Sequence, residues 1–217
     1  MPDLAYIQSA WFELTRNYGA DEGLSGQLFA ALKEAYTGPG RFYHNLDHIE
    51  SLLKLSQDHA DQLGNRDVVG FSIFYHDFVY HAGGRDNEQQ SALVAEKSLT
   101  TLGVEKGQRE QVKLFICATA NHGHLPNADE DLRLFIDFDL SILAADQEVY
   151  QHYVRNIRKE YSHIPSDQFA LGRKGFITGL LRQEHIFYTE SFREKEEQAR
   201  KNMAWELEMS SYIFPGG

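Results

Sequence analysis

Apolar residues recur at three- and four-residue spacing almost throughout this chain, and no stretch sustains the alternation expected of a half-buried strand. The pattern predicts a succession of helices. Leu4, Ile7, Trp11 and Leu14 mark one stripe of a first helix over 4–18, and a second runs over 24–36 until Gly38-Pro39-Gly40 breaks it. Asn45 is placed to cap a third helix reaching about 63, with Ile49, Leu52, Leu53 and Leu55 inward. A fourth, over 67–80, is apolar nearly all round, the mark of a central buried helix. Further helices are expected over 88–102, 106–121, 129–143, 147–161, 168–182 and 189–209, the last densely charged around Arg193-Glu194-Lys195-Glu196-Glu197. No repeat, low-complexity tract or linker divides the chain. The expectation is a single compact all-α domain over 1–217.

Composition adds bounds. Apolar residues at 42% and charged residues at 24% suit a globular protein with a sizeable core. The net charge of −11 argues against long nucleic acids, whose affinity depends on cationic neutralisation of phosphates. It leaves room for a small phosphorylated substrate, because bound divalent cations reverse the field locally. Cys117 is the only cysteine and lies in an apolar helical run, so it reads as an inert core thiol, and no cysteine zinc cluster or disulfide framework is available. The start, MPDLAYIQSAWFEL, lacks a basic region followed by an apolar one. The longest apolar-rich run, 68–80, is interrupted by His76 and Asp77 and is too short to span a membrane. A cytoplasmic protein without membrane contact is therefore expected.

The candidate chemistry lies between Arg41 and Leu143. Tyr43-His44-Asn45-Leu46-Asp47-His48, then His76-Asp77, then Phe135-Ile136-Asp137-Phe138-Asp139-Leu140 put histidines and carboxylates where the pattern calls for core. A lone buried His or Asp is costly unless something satisfies it. Several converging on one core are most economically explained by a metal. Asp139 shares its helical face with Phe135, Ile136, Ile142 and Leu143, whereas Asp137 shares the more polar face of Arg133, Leu134, Leu140 and Ser141. Since residues two apart diverge on a helix, Asp139 is expected to point inward and Asp137 outward. His76-Asp77 is expected midway along the fourth helix, flanking one ion. His44 and His48, four apart, could share a face, and His122 with His124 add two imidazoles in a loop. His59, His152, His163 and His185 read as surface or packing residues.

RFYHNLDHI, FYHDFVYH with the following DNEQQSA, ICATANH and FIDFDLSIL together resemble the H…HD…D signature of the HD superfamily of metal-dependent phosphohydrolases, most closely its stand-alone members. A more distant resemblance, over 41–143, is to the catalytic domains of cyclic-nucleotide phosphodiesterases, through Tyr43-His44-Asn45-x-x-His48, Ala118-Thr119 with His122, and Asp139-Leu140-Ser141. The resemblance implies an HD-domain helical fold in which His48, His76, Asp77 and Asp139 ligate a divalent metal, with Asp77 bridging to a second ion where two bind. It implies that His44 protonates the leaving oxygen, that His122 contacts phosphate or a second metal, and that Asn87 and Glu88 line the mouth. The glutamine and aromatic clamp that holds a purine in those phosphodiesterases has no counterpart that can be placed here, so their specificity is not implied.

The expected activity is hydrolysis of a small phosphomonoester or phosphodiester, a nucleotide or related metabolite, with one or two Mn²⁺, Mg²⁺, Zn²⁺ or Fe²⁺ ions. Imidazole with carboxylate suits Mn²⁺, Fe²⁺ and Zn²⁺ better than Mg²⁺. Two competing readings are a di-iron oxygenase on the same fold and a non-catalytic nucleotide-binding regulatory module; metal identity and turnover separate them. The charged last helix leaves packing on its own core or on a second copy, a homo-oligomer, equally open.

Overall fold

The computed structural model describes residues 1–121 and 128–213, and these are helical with no strand among them. In order they form α1 Leu4–Arg16, α2 Glu22–Thr37, α3 Leu46–Asp58, α4 Arg66–Tyr75, α5 Asn87–Thr101, α6 Lys106–Ala118, α7 Glu130–Leu140, α8 Gln147–Glu160, α9 Ser166–Leu181, α10 Glu190–Arg193 and α11 Glu196–Ile213. Short 3₁₀ turns, Thr119–Asn121 and Ser141–Ala144, extend α6 and α7. Side-chain caps set several starts: Asp3, Asp21, Asn45, Asn65 and Asp129 each accept a backbone N–H of the first turn. No helix among the described residues is long and apolar enough to cross a membrane.

The centre is α4, whose residues from Val68 to Tyr75 are buried on every side but for half-buried Gly70, as their largely apolar sequence requires. It packs against α1, α3, α5, α6 and α7. Trp11 of α1 lies edge-on to Phe71, Phe74 and Tyr75, with ring centroids 6.1, 5.1 and 6.0 Å away. Its indole N–H donates to the Ser25 carbonyl at 2.9 Å, so the buried polar atom is satisfied. Gly70 lets α1 and α4 close up: a Cβ there would meet Leu14 Cδ2 at 3.2 Å.

The third helix ends at Asp58 rather than near 63, the last breaks into α10 and α11, and two further expectations that bear on the site need correction. The fourth helix ends at Tyr75 rather than continuing to 80, so His76 caps it and Asp77 lies in the following turn. Apolar periodicity continues beyond that point, but the Phe78 N–H turns back to the Tyr75 carbonyl at 3.1 Å, and side chains from other segments take nearby carbonyls. Tyr36 Oη donates to the Phe74 carbonyl, and Arg41 donates to those of Asp77 and Phe78.

The second correction is Asp137, which is fully buried rather than outward-facing. It accepts the Tyr188 and Thr189 backbone N–H groups at 2.8 Å each and the Thr189 hydroxyl at 2.6 Å. Asp137 and Asp139 both point into protein because the segment leading into α10 covers the face of α7 opposite α3 and α4. The last helix is half-solvated as its charge pattern suggests, with Glu196–Arg200 and Glu197–Lys201 pairs at four-residue spacing. Its other side packs within the chain, burying Ala199 and Met203, and Asn202 donates to the Leu143 and Ala145 carbonyls.

Because Asp137 satisfies three donors from a segment some fifty residues distant, Asp137→Ala should lower unfolding free energy by about 2–4 kcal/mol. Urea denaturation followed by circular dichroism checks this, and an unchanged midpoint would contradict the tethering role.

Candidate metal centre

Each candidate ligand is delivered by a different local device. The loop before α3 turns at Asn45, whose side-chain oxygen accepts the Asp47 and His48 N–H groups at 2.8 and 3.4 Å. This cap fixes the first turn of α3 and directs His48 inward, 5% exposed. His76, at the end of α4, donates from Nδ1 to the Ile73 carbonyl at 3.0 Å. That bond fixes the tautomer and leaves the Nε2 lone pair facing the centre. Asp77 follows in the turn, and Asp139 comes from the last turn of α7.

These side chains converge. His48 Nε2 lies 3.2 Å from His76 Nε2. Asp77 Oδ2 is 3.0 Å from His76 Nε2 and 3.9 Å from His48 Nε2. Asp139 Oδ1 is 3.2 Å from His48 Nε2 and 3.8 Å from His76 Nε2. Bonds of about 2.0–2.2 Å to a common ion would place neighbouring ligand atoms roughly 3.0–3.6 Å apart. The group formed by His48, His76 and Asp77 could therefore hold a metal ion, its ligand atoms all lying within 4.8 Å of one another.

The electrostatics point the same way. Burial opposes charge on His76, but Asp77 and then Asp139 outweigh it and push the imidazole up to about 9. Burial also opposes charge on Asp77, and the neighbouring His76 and His44 nevertheless hold its carboxyl well below the usual range. His48 goes down, with burial prevailing over Asp139. The cluster thus demands positive charge between its carboxylates, and a proton is the simplest cation that meets the demand.

His44 stands beside the cluster in a separate hydrogen-bonded frame. Its Nδ1 is 2.6 Å from Glu160 Oε2, which also accepts the Tyr80 hydroxyl at 2.9 Å. Glu160 Oε1 accepts the backbone N–H groups of Phe42, Tyr43 and His44 at 2.8, 2.7 and 3.0 Å. The Tyr80 ring stacks on the His44 imidazole at 4.1 Å. Burial lowers the His44 pKa, but Asp77 and Glu160 together leave it raised.

His44, Asp77 and Asp139 line a cavity of about 800 Å³, with Asn87 and Glu88 also on its wall. Asn87 is largely spent on the loop before α5: its amide accepts the His81 N–H and donates to the His81 carbonyl, both at 3.0 Å. That closure forces glycine at 84, where a Cβ would come within 2.7 Å of Asn87 Oδ1 and 2.9 Å of the His81 carbonyl. His122 and His124 lie outside the described residues.

Sequence reasoning missed Glu160, Tyr80, Arg41 and Arg173. Glu160 carried one signal. It ends α8 directly after Arg158 and Lys159, where the helix dipole favours cations and disfavours a carboxylate.

Comparison with protein-family models, with curated proteins and with solved structures finds no match to this chain.

Metal binding should be visible in stability. Zn²⁺, Mn²⁺ or Fe²⁺ added to metal-depleted protein is expected to raise the thermal midpoint, contributing about 2.7 kcal/mol at a hundred times Kd. His76→Gln should abolish both the shift and the bound metal, while the exposed His185→Gln keeps them. Metal content and scanning fluorimetry are the readouts; equal metal in wild type and His76→Gln would rule the site out.

Proposed function

We propose that this chain is a metal-dependent phosphohydrolase of the HD type, with His48, His76, Asp77 and Asp139 as ligands of a divalent cation, acting on a small phosphomonoester or phosphodiester such as a nucleotide or related metabolite. The observation that carries the reading is the convergence of two imidazole nitrogens and two carboxylate oxygens on the wall of a cavity. His44, held by Glu160, faces the same space. The resemblance of the motifs that carry these same residues to the HD signature supports the reading.

A divalent cation in such a shell supplies Lewis acidity, withdrawing charge from phosphoryl oxygens and making water acidic enough to serve as nucleophile near neutral pH. The chain's own groups supply the rest. Asp77 and Asp139 balance the ion's charge, and the bond from His76 Nδ1 to Ile73 keeps its ring from rotating away. Glu160 ties up His44 Nδ1, which leaves Nε2 as the nitrogen that can meet a ligand in the cavity. A proton on Nε2 is positioned for transfer to the oxygen that departs from phosphorus, and the carboxylate of Glu160 stabilises the imidazolium before transfer. Water exclusion is partial, since the cavity is open to solvent on one side. The bulk of the rate enhancement therefore falls to charge stabilisation at the ligand cluster.

The test is phosphate release from a panel of mono- and diesters with Mn²⁺, Mg²⁺, Zn²⁺ or Fe²⁺, each diester assayed also with an auxiliary phosphatase. Metal-dependent turnover in wild type and none in Asp77→Ala is expected, and turnover undiminished in Asp77→Ala would overturn the assignment. His44→Gln should lower kcat by roughly 10²–10⁴-fold with metal content intact.

Glu160→Gln gives a separate pH signature. The acid must be protonated to act, so activity falls as pH rises through the His44 pKa. Removing the carboxylate that helps hold its proton moves that falling limb to lower pH. A limb that stays in place in Glu160→Gln would assign the proton donor elsewhere.

A further inference from the structure

The cavity is far larger than the chemistry beside the metal ligands requires. At about 800 Å³ it falls within the range of roughly 300–1,000 Å³ that accommodates a drug-sized ligand. A phosphoryl group and a few waters, at about 30 Å³ each, fill only a part of it. The remainder is bounded by α8, the loop after it and α9, which contribute Tyr153, Ile157, Tyr161, Ile164, Phe169 and Phe176. Apart from Gln168, Arg173 and the tyrosine hydroxyls, this wall is aliphatic and aromatic. The cation on it, Arg173, is already neutralised: its guanidinium donates to both carboxylate oxygens of buried Glu206 at 2.7 and 3.1 Å and to the Tyr153 hydroxyl at 3.0 Å. Its Cζ also lies over the Tyr153 and Phe176 rings, 5.0 and 5.2 Å from their centroids. What this side of the cavity offers a ligand is therefore mostly apolar surface and flat faces.

Gly172 sits in the middle of that wall. On α9 it is one turn from both Gln168 and Phe176, and all three line the cavity. Nothing in the backbone requires glycine there, since the positive-φ glycines are Gly19, Gly40, Gly83 and Gly103. Packing does not require it either, because a Cβ at 172 would meet nothing within 4 Å. A helix-interior glycine costs about 0.5–1 kcal/mol relative to alanine. Its consequence here is an open cavity where any larger side chain would project into the space. Gly175 has the same freedom but does not line the cavity, which makes it an internal control.

We infer that Gly172 sets substrate specificity: it keeps open an apolar subsite on α8 and α9 that receives a bulky, flat and apolar group on the alcohol side of the phosphate ester. The inference rests on the phosphohydrolase reading for where the phosphoryl group sits. It adds the class of ester and the residue that selects it.

The experiment measures binding and turnover separately on metal-loaded protein. Calorimetry with methylphosphonate and 1-naphthylphosphonate is run on wild type, Gly172→Leu and Gly175→Leu, with circular dichroism establishing that each variant is folded. Burying a ring contributes roughly 10- to 100-fold in affinity, so wild type should prefer the naphthyl compound by at least about tenfold. Gly172→Leu should lose that preference while binding methylphosphonate as wild type does, and Gly175→Leu should keep it. Equal affinity of wild type for the two phosphonates, or a preference that survives in Gly172→Leu, would overturn the inference. Phosphate release from 1-naphthyl phosphate and glycerol phosphate by the same wild-type sample reports on the reading beneath it. A retained naphthyl preference with no phosphate released under any metal would sink the phosphohydrolase assignment and leave the subsite standing. Turnover without the preference would do the reverse.

Discussion

One carboxylate holds the functional half of this molecule in register. Glu160 is 5% exposed, and an anion so placed is tolerable only when its oxygens are saturated with donors. They are: three consecutive backbone N–H groups converge on one oxygen, and the His44 ring and Tyr80 hydroxyl converge on the other. Three successive amides can aim at one point only in a narrow set of backbone conformations, so the loop before α3 has little freedom. Asn45 then begins α3 at a fixed place, and His48 in its first turn inherits that placement. Burial opposes ionisation of Glu160, yet the bonds from His44 and the loop amides hold its carboxyl below the ordinary value. The neutral acid would turn one oxygen into a donor facing donors, so the loop conformation and the charge state stabilise each other.

Arg41 performs the complementary task on the carbonyl side. Its guanidinium donates to the carbonyls of His44, Asp77 and Phe78 at 3.0, 2.8 and 2.9 Å, joining the loop before α3 to the turn after α4. The planar cation lies between the Tyr36 and Tyr80 rings, each centroid 5.2 Å away, which compensates part of its desolvation. The two segments that carry His44, His48, His76 and Asp77 are thus clasped twice: an anion collects N–H groups of the first and the Tyr80 hydroxyl of the second, and a cation collects carbonyls of both.

Helix existence was legible because a 3.6-residue period is written directly into residue order, and the ends were legible where a cap such as Asn45 is written there too. Periodicity marked costly polar groups such as His76 and Asp139 at positions it assigns to core, but the set of His48, His76, Asp77 and Asp139 was read from its resemblance to the HD signature. Asp137 was not, since its three donors belong to a segment some fifty residues later, and no local pattern announces that this segment will cover α7. Arg41 was read only as the edge of a motif, because binding through carbonyl oxygens leaves no residue-type signature in its partners. The apolar subsite was hidden for a similar reason, as α9 carries little amphipathic pattern and its cavity face is defined by a missing side chain at Gly172.

The charge balance of the cavity decides what the proposed metal must do beyond chemistry. Asp77, Asp139 and Glu88 face this space, Glu160 stands behind His44, and Arg173 is cancelled by Glu206. Arg85 on the rim is the remaining permanent cation among the residues described along the wall. The chain as a whole carries −11. A phosphate ester approaching this wall without a divalent ion would meet a field of its own sign at short range, in surroundings where screening is weak. Protons on His44 and His76 relieve part of that field, but their charge is already engaged by Glu160 and Asp77. On the phosphohydrolase reading, the divalent cation is therefore a condition for substrate binding as well as for the chemical step, and affinity and turnover should depend on it together.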